Sequence, residues 1–268
     1  GHARLAILDV GSGHQPMTEQ ENLIVFNGEI YNYQALRRDI LDTVETDSDT
    51  EVFLKLYRAC GPNFVNLLDG MFAFAILDQD GLFLARDPLG IKPLYYALRE
   101  EGIWFASEMK SLLGKATDIR EFPPGHWWHS RHGMQRYYAL DDLPERITVP
   151  EAHPPADSLT LIQDTLREAV HKRLIADAQV PVGVSLSGGL DSSVVTALAR
   201  EGRTTLDTFV VGMVDSEDIE ASREVADYLG TRHHVYEYSF EEMLDVLPEV
   251  IYHLESFDAP LVRSAIPN

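Results

Sequence analysis

Hydrophobic and polar positions keep two different rhythms along this chain. Up to about residue 140, short apolar runs alternate with turn residues. Residues 71–77 and 82–85 flank an Asp-Gln-Asp-Gly turn, and residues 94–98 and 103–106 flank Arg-Glu-Glu-Gly. Residues 125–130 and 134–138 lie around His132-Gly133. Each pair predicts a hairpin, because apolar alternation with a period of two is interrupted by residues that accept positive φ. Residues 5–10 and 23–26 read as further strands, the second ending at Asn27-Gly28. Residues 31–41 and 50–60 carry helical periodicity, the latter with Asp49 as N-cap and Gly61-Pro62 as its stop. Repeated hairpins predict largely antiparallel sheets with helices packed on them.

The rhythm then changes. Residues 141–157 carry four prolines and read as a linker. Beyond them, helices over 159–174, 192–200, 219–229 and 240–255 alternate with strands over 180–186, 208–214 and 233–238. Such alternation predicts right-handed crossovers and a parallel sheet. The fold class is therefore α/β in two domains, the first mainly antiparallel and the second parallel.

Composition narrows the function classes. With 45% hydrophobic and 24% charged residues the chain has the makings of a core and is not disordered. No apolar run approaches the ~20 residues needed to cross a bilayer. Acidic residues outnumber basic ones by 43 to 22, a formal charge of −21, so neither a nucleic acid nor a membrane surface is expected as partner. One cysteine excludes an internal disulfide framework and points to a reducing compartment, the cytoplasm. No leader pattern is visible, and the chain reads as cut at both ends.

The strongest chemical signal is Ser187-Gly-Gly-Leu-Asp-Ser-Ser193, between an apolar strand and a helix. Two glycines let backbone N–H groups approach phosphate oxygens, the helix N-terminus adds partial positive charge, and hydroxyls add donors. The loop falls at the carboxyl end of a strand, where open α/β sheets bind ligands. No Gly-Lys-Ser/Thr follows, so the neutralising charge falls to a metal, with Asp191 placed to hold Mg²⁺. A plain strand–turn–helix cap is the alternative, and Gly-Gly alone would favour it. The full heptad favours pyrophosphate binding.

This heptad resembles the PP-loop of N-type ATP pyrophosphatases. Residues 184–193, 208–212, 224–231 with His233-His234, and 251–258 leading to Arg263 are similar to the synthetase domain of glutamine-hydrolysing asparagine synthetases. The resemblance implies ATP bound by Leu186, Ser187, Gly188, Gly189, Asp191, Ser192, Val211 and Arg263, with Leu186 and Val211 on the adenosine, Arg263 near the phosphates and Mg²⁺ on Asp191. Pro260 and Leu261 depart from the threonines of some members.

In the first half, Asn27-Gly28 after a strand is ordinarily a turn. The functional reading is an oxyanion hole, an Asn amide beside a Gly N–H. Asn27-Gly-Glu-Ile-Tyr-Asn32 resembles the glutaminase domain of class II amidotransferases, which are N-terminal nucleophile hydrolases. Residues 2–9, 14–17, 47–51, 70–75, 86–95 and 105–110 share that resemblance. It implies an αββα sandwich in which Arg4 grips the glutamine carboxylate, Asp49 receives its amino group, and Asn27, Gly28 and Glu29 line the pocket. The order implied is a glutaminase domain over 1–142, a linker over 143–157 and a synthetase domain over 158–268.

The family nucleophile is an N-terminal cysteine, and this chain has none there. Cys60 is a poor substitute, because a helix C-terminus disfavours a thiolate. This polypeptide alone is therefore expected to release no ammonia from glutamine. Its substrates by resemblance are glutamine, aspartate and ATP, and a homodimer is left open. A β-lactam-synthetase-like ligase with a silent first domain and a non-enzymatic nucleotide-binding module are the alternatives. Metal binding by His126, His129 and His132 is disfavoured, because that spacing alternates faces in a hairpin. His233-His234, Trp127-Trp128 and the pairs Tyr95-Tyr96 and Tyr137-Tyr138 read as packing, and residues 215–220 as an acidic helix start.

Overall fold

The computed structural model describes residues 2–3, 7, 11, 13–40, 48–100, 102–140, 157–177 and 180–267. The expected strand over 5–10, apart from Ile7, lies outside these residues, as do Arg4 and the expected linker up to residue 156. The chain divides into two compact units, residues 1–153 and 154–268.

The first unit runs β1 (Met17–Glu19), β2 (Asn22–Ile30), α1 (Tyr33–Ile40), α2 (Asp49–Cys60), a 3₁₀ turn (Gly61–Leu67), β3 (Gly70–Asp78), β4 (Gly81–Arg86), β5 (Tyr95–Arg99), β6 (Gly102–Ala106), β7 (Arg120–Glu121), β8 (His126–His129) and β9 (Gly133–Arg136). Six strands form a sheet in the order β1-β2-β3-β4-β8-β9, and three form a second in the order β6-β5-β7. Every pairing in both sheets is antiparallel. All three predicted hairpins are present.

Side-chain volume explains the layering. Along β3, Phe72, Phe74 and Ile76 alternate with Ala73 and Ala75, and all five are buried. The phenylalanines meet α2: the Phe53 ring lies 4.9 Å from Phe74 and 4.8 Å from Phe26 of β2, at angles of 77° and 40°. The alanines leave room on the opposite face for Leu94 and Phe122, with Tyr96, Ile103 and Phe105 packed against them. Such a sheet, covered on both faces, reads as a continuous apolar run.

Two local expectations change. The strand expected over 23–26 continues to Ile30, so Asn27-Gly28 is not a turn. Phe26, Gly28 and Ile30 pair with Phe74, Phe72 and Gly70 of β3, and this long-range pairing overrides the local preference of the dipeptide. The N-cap of α2 is Ser48 rather than Asp49. Ser48 has extended backbone and its Oγ accepts the Thr50 N–H at 3.2 Å, whereas Asp49 is already helical.

The second unit runs α3 (Ser158–His171), β10 (Gly183–Ser185), α4 (Leu190–Arg200), β11 (Asp207–Met213), α5 (Glu217–Leu229), β12 (Arg232–Tyr238), α6 (Phe240–Leu254) and α7 (Ala259–Ala265). Its sheet is parallel, in the order β10-β11-β12. The strand expected over 180–186 shortens to three residues; Leu186 N–H still reaches Phe209 O at 2.8 Å before the chain turns. Helix α7 lies beyond the four helices given bounds from the sequence. Its signal was present: Asp258 accepts the Leu261 N–H at 2.9 Å, and Pro260 sits in the first turn. Among the described residues no helix is long and apolar enough to cross a membrane.

Candidate functional site

A cavity of about 800 Å³ opens in the first unit. Asn27, Gly28 and Glu29 from β2 line it together with Asp49 and Thr50 from the start of α2 and Lys92 between β4 and β5. Four of the five residues expected to hold glutamine thus meet at one place, while Arg4 lies outside the described residues. Asp49 is buried in the first turn of α2, where the helix dipole favours a carboxylate. Gln15, another lining residue, fixes β2 by accepting the Phe26 N–H at 2.6 Å.

Lys92 was not anticipated. It lies within residues 86–95, without a periodicity that would single it out. Its backbone is held at both ends: its N–H donates to Asp87 Oδ2 at 2.9 Å and its carbonyl accepts Arg86 Nε–H at 2.7 Å. Glu29, Asp49 and Lys92 lining one cavity bring both signs of charge to it, which suits a small zwitterion, and an Asn amide beside a Gly N–H suits a developing oxyanion. Cys60 is exposed at the C-terminal end of α2, and no cysteine lines the cavity among the described residues.

In the second unit the loop from Ser187 leads into α4 at the carboxyl edge of β10. Gly188 has φ +79°, and a Cβ there would lie 2.5 Å from Ala221 and 2.6 Å from the Ser222 nitrogen on α5. Gly189 is open: a Cβ there would meet nothing nearer than Ser187 Oγ at 3.6 Å. Gly189 is also the N-cap of α4 and supplies no side-chain cap. The N–H groups of Gly189, Leu190 and Asp191 have no partner among the described residues. Uncapped donors at a helix N-terminus suit an anion.

The Ser192 and Ser193 hydroxyls make hydrogen bonds within the loop itself. Ser192 Oγ accepts the Ser187 N–H at 3.2 Å, lies 3.0 Å from Ser187 Oγ and donates to Gly189 O at 3.1 Å. Ser193 Oγ donates to the same carbonyl at 2.7 Å. Both ends of the loop come within reach of one hydroxyl, which ties them together. Leu186 is buried beneath the loop, Val211 is half-buried on the neighbouring β11, and Arg263 is exposed on α7. Asp191 is exposed in the first turn of α4. Among the described residues no three His, Cys, Asp or Glu side chains are grouped to hold a metal. One carboxylate together with ligand phosphates is nevertheless a donor set that Mg²⁺ accepts, so Asp191 fits.

Behind the loop lies a polar network. His233 Nδ1 is 3.0 Å from Thr208 Oγ1, and its Nε2 is 3.1 Å from Ser222 Oγ. Thr208 Oγ1 is 2.9 Å from Thr231 Oγ1. Burial pushes His233 below the usual imidazole range; Arg223 and His234 add to the shift and Asp227 opposes it. Its unfolded value is 6.5, so the stability it lends is fully present above that pH and is lost as pH falls through the lowered folded value. Thermal unfolding of the parent is therefore expected to weaken more steeply than that of His233→Gln between about pH 7 and pH 5. Equal slopes would mean that His233 does not contribute to the pH dependence of stability. In the first unit, His126 Nδ1 bonds Pro124 O at 2.7 Å, and the buried His129 ring lies 5.1 Å from His132. Trp127 packs on Phe83 at 5.6 Å.

The chain matches a family model described as a glutamine amidotransferase domain over residues 1–121 and one described as asparagine synthase over residues 161–268. Glutamine-hydrolysing asparagine synthetase 2 of Arabidopsis thaliana is 43% identical, over 99% of this chain and 48% of its own length. The maize enzyme is 42% identical over 99% and 47%. The chain thus spans about half the length of the curated relatives it matches. Among solved structures, the glutamine phosphoribosylpyrophosphate amidotransferase of B. subtilis aligns with 82% of this chain and 48% of its own, at 20% identity and a TM-score of 0.40. The chain thus joins a match to a glutamine amidotransferase domain to a match to asparagine synthase, and over nearly its whole length it is similar to glutamine-hydrolysing asparagine synthetases.

Proposed function

We propose that the protein makes asparagine from aspartate, with ATP as activating reagent and glutamine as nitrogen source. The domains are a glutaminase αββα sandwich over 1–142, a linker over 143–157 and a PP-loop domain over 158–268. In the first, Arg4 grips the substrate carboxylate and Asp49 its ammonium group. Asn27 and Gly28 donate to the oxyanion as the side-chain amide is hydrolysed to glutamate and ammonia, and Glu29 lines the pocket. In the second, an aspartate β-carboxylate oxygen attacks the α-phosphorus of ATP. The bond to the β-phosphate breaks, and pyrophosphate leaves against the amides of Gly189, Leu190 and Asp191, with Ser187, Ser192, Gly188 and Arg263 around it. Leu186 and Val211 hold the adenosine. Mg²⁺, when bound at Asp191, offsets the charge of the departing pyrophosphate. Ammonia then attacks the acyl carbon of β-aspartyl-AMP, AMP leaves with the bonding electrons, and a proton is lost to give asparagine.

The observation that carries this reading is the uncapped N-terminus of α4 behind two glycines at the edge of a parallel sheet. Aspartate-dependent exchange of label between pyrophosphate and ATP tests it, and a protein that exchanges none overturns it. Asn27→Ala, in the protein carrying the family's N-terminal cysteine, is expected to lower kcat for glutamine hydrolysis by about 10²–10³-fold with KM little changed. Because no thiol lines the cavity among the described residues, the polypeptide of these 268 residues is expected to release no glutamate above a buffer blank.

A further inference from the structure

We propose that His233 is a positioning residue for the phosphate-binding loop, acting through Ser222 on the turn of α5 against which Gly188 rests. The proposal depends on the nucleotide reading of Ser187–Ser193 given above. It follows from a chain of contacts that crosses three elements. Gly188 lies against the Ala221–Ser222 peptide so closely that a Cβ would overlap it, at 2.5 Å from the Ala221 carbonyl carbon and 2.6 Å from the Ser222 nitrogen. The loop therefore takes its position from that peptide. Ser222 in turn is fully buried, and its hydroxyl donates to Ile219 O at 2.8 Å.

A hydroxyl has one proton. With it committed to Ile219 O, Ser222 Oγ can only accept from His233, so Nε2 carries hydrogen. In the neutral ring Nδ1 then accepts, and its partner is Thr208 Oγ1 on β11, itself fully buried. One tautomer thus ties the middle strand of the sheet to α5. Among the described residues His233 is the hydrogen-bonded link between α5 at Ser222 and β11, whereas Thr231, the other partner of Thr208, returns to α5 further along, at Ala226 O. Buried, fully partnered polar networks of this kind fix one arrangement of the elements they join.

Two substitutions separate the halves of the bridge. Gln at 233 can place a donor near the Nε2 position, whereas Asn reaches only as far as Nδ1. His233→Asn and Ser222→Ala are expected to speed amide hydrogen exchange of residues 188–192 and to raise the KM for Mg-ATP about tenfold, with kcat within about twofold. His233→Gln is expected to restore both readouts to within about twofold of the parent. A merely structural histidine would lower the unfolding temperature of Asn and Gln variants alike and would not split KM from kcat. Loop exchange that is the same in His233→Asn and parent overturns the inference, whatever happens to nucleotide. An unsubstituted protein that neither binds nor exchanges ATP overturns the nucleotide reading itself, and is recognised before any variant is compared.

Discussion

Asp87→Ala is expected to destabilise the first unit by about 3–5 kcal/mol. Asp87 is 1% exposed, and its carboxylate accepts four backbone N–H groups: Phe72 at 3.2 Å, Leu89 at 3.1 Å, and Ile91 and Lys92 at 2.9 Å. Alanine leaves all four without that acceptor, and an unsatisfied buried donor costs about 1–3 kcal/mol. The costs do not simply add, because the loop will partly relax toward water. Neighbouring Arg86 closes the same loop from the other side, donating to Lys92 O at 2.7 Å, Gly90 O at 2.9 Å and Phe122 O at 2.6 Å. With the Asp87 anchors gone, those contacts lose their geometry as well. Chemical denaturation reads the loss directly, and Asp87→Asn, which keeps an acceptor oxygen, should lose less. A change below about 1 kcal/mol for the alanine variant would mean that the loop is held by something else.

Gly188→Ala is expected to abolish the nucleotide reaction, lowering aspartate-dependent ATP–pyrophosphate exchange by more than about 100-fold. Two costs combine. A non-glycine residue at φ +79° is strained by roughly 1–2 kcal/mol. The new methyl also meets the Ala221 carbonyl carbon at 2.5 Å, and helical backbone cannot swing aside like the end of a flexible side chain. The loop must lift from α5, which moves the N–H groups of Gly189, Leu190 and Asp191 together. Every 1.4 kcal/mol is a factor of ten in affinity, so a lift that loses two charge-assisted hydrogen bonds is enough. Mg-ATP titration of the variant checks this, and unchanged affinity would refute the dependence of the loop on that contact.

The hairpins could be read in the sequence because their signal is local: apolar alternation broken by Asp-Gly, Glu-Gly or His-Gly. The continuation of β2 through Asn27-Gly28 could not, because it depends on β3, some 45 residues away, pairing with both. The cavity divides the same way. Asn27, Gly28 and Glu29 are contiguous and were found together, whereas Lys92 enters from another connection, and its place depends on Asp87 and Arg86. In the loop, glycines and helix start follow from residue type. The direction of the Ser187 and Ser192 hydroxyls depends on a 3.0 Å approach between residues five apart, which no pattern encodes. His233 read as packing, but its two hydroxyl partners come from separate elements, β11 and α5.

The alternation of rings and methyls along β3 has a consequence for its neighbour. A slip of one residue between β2 and β3 would turn Phe72 and Phe74 into the space sized for Ala73 and Ala75 and leave methyl groups facing α2. Small errors of alignment are therefore forbidden, and only a two-residue jump keeps each face matched. Asn27 and Gly28 sit on a ratchet with coarse teeth: lengthening or shortening the connection before β3 will either leave their partners untouched or displace them by a full pleat.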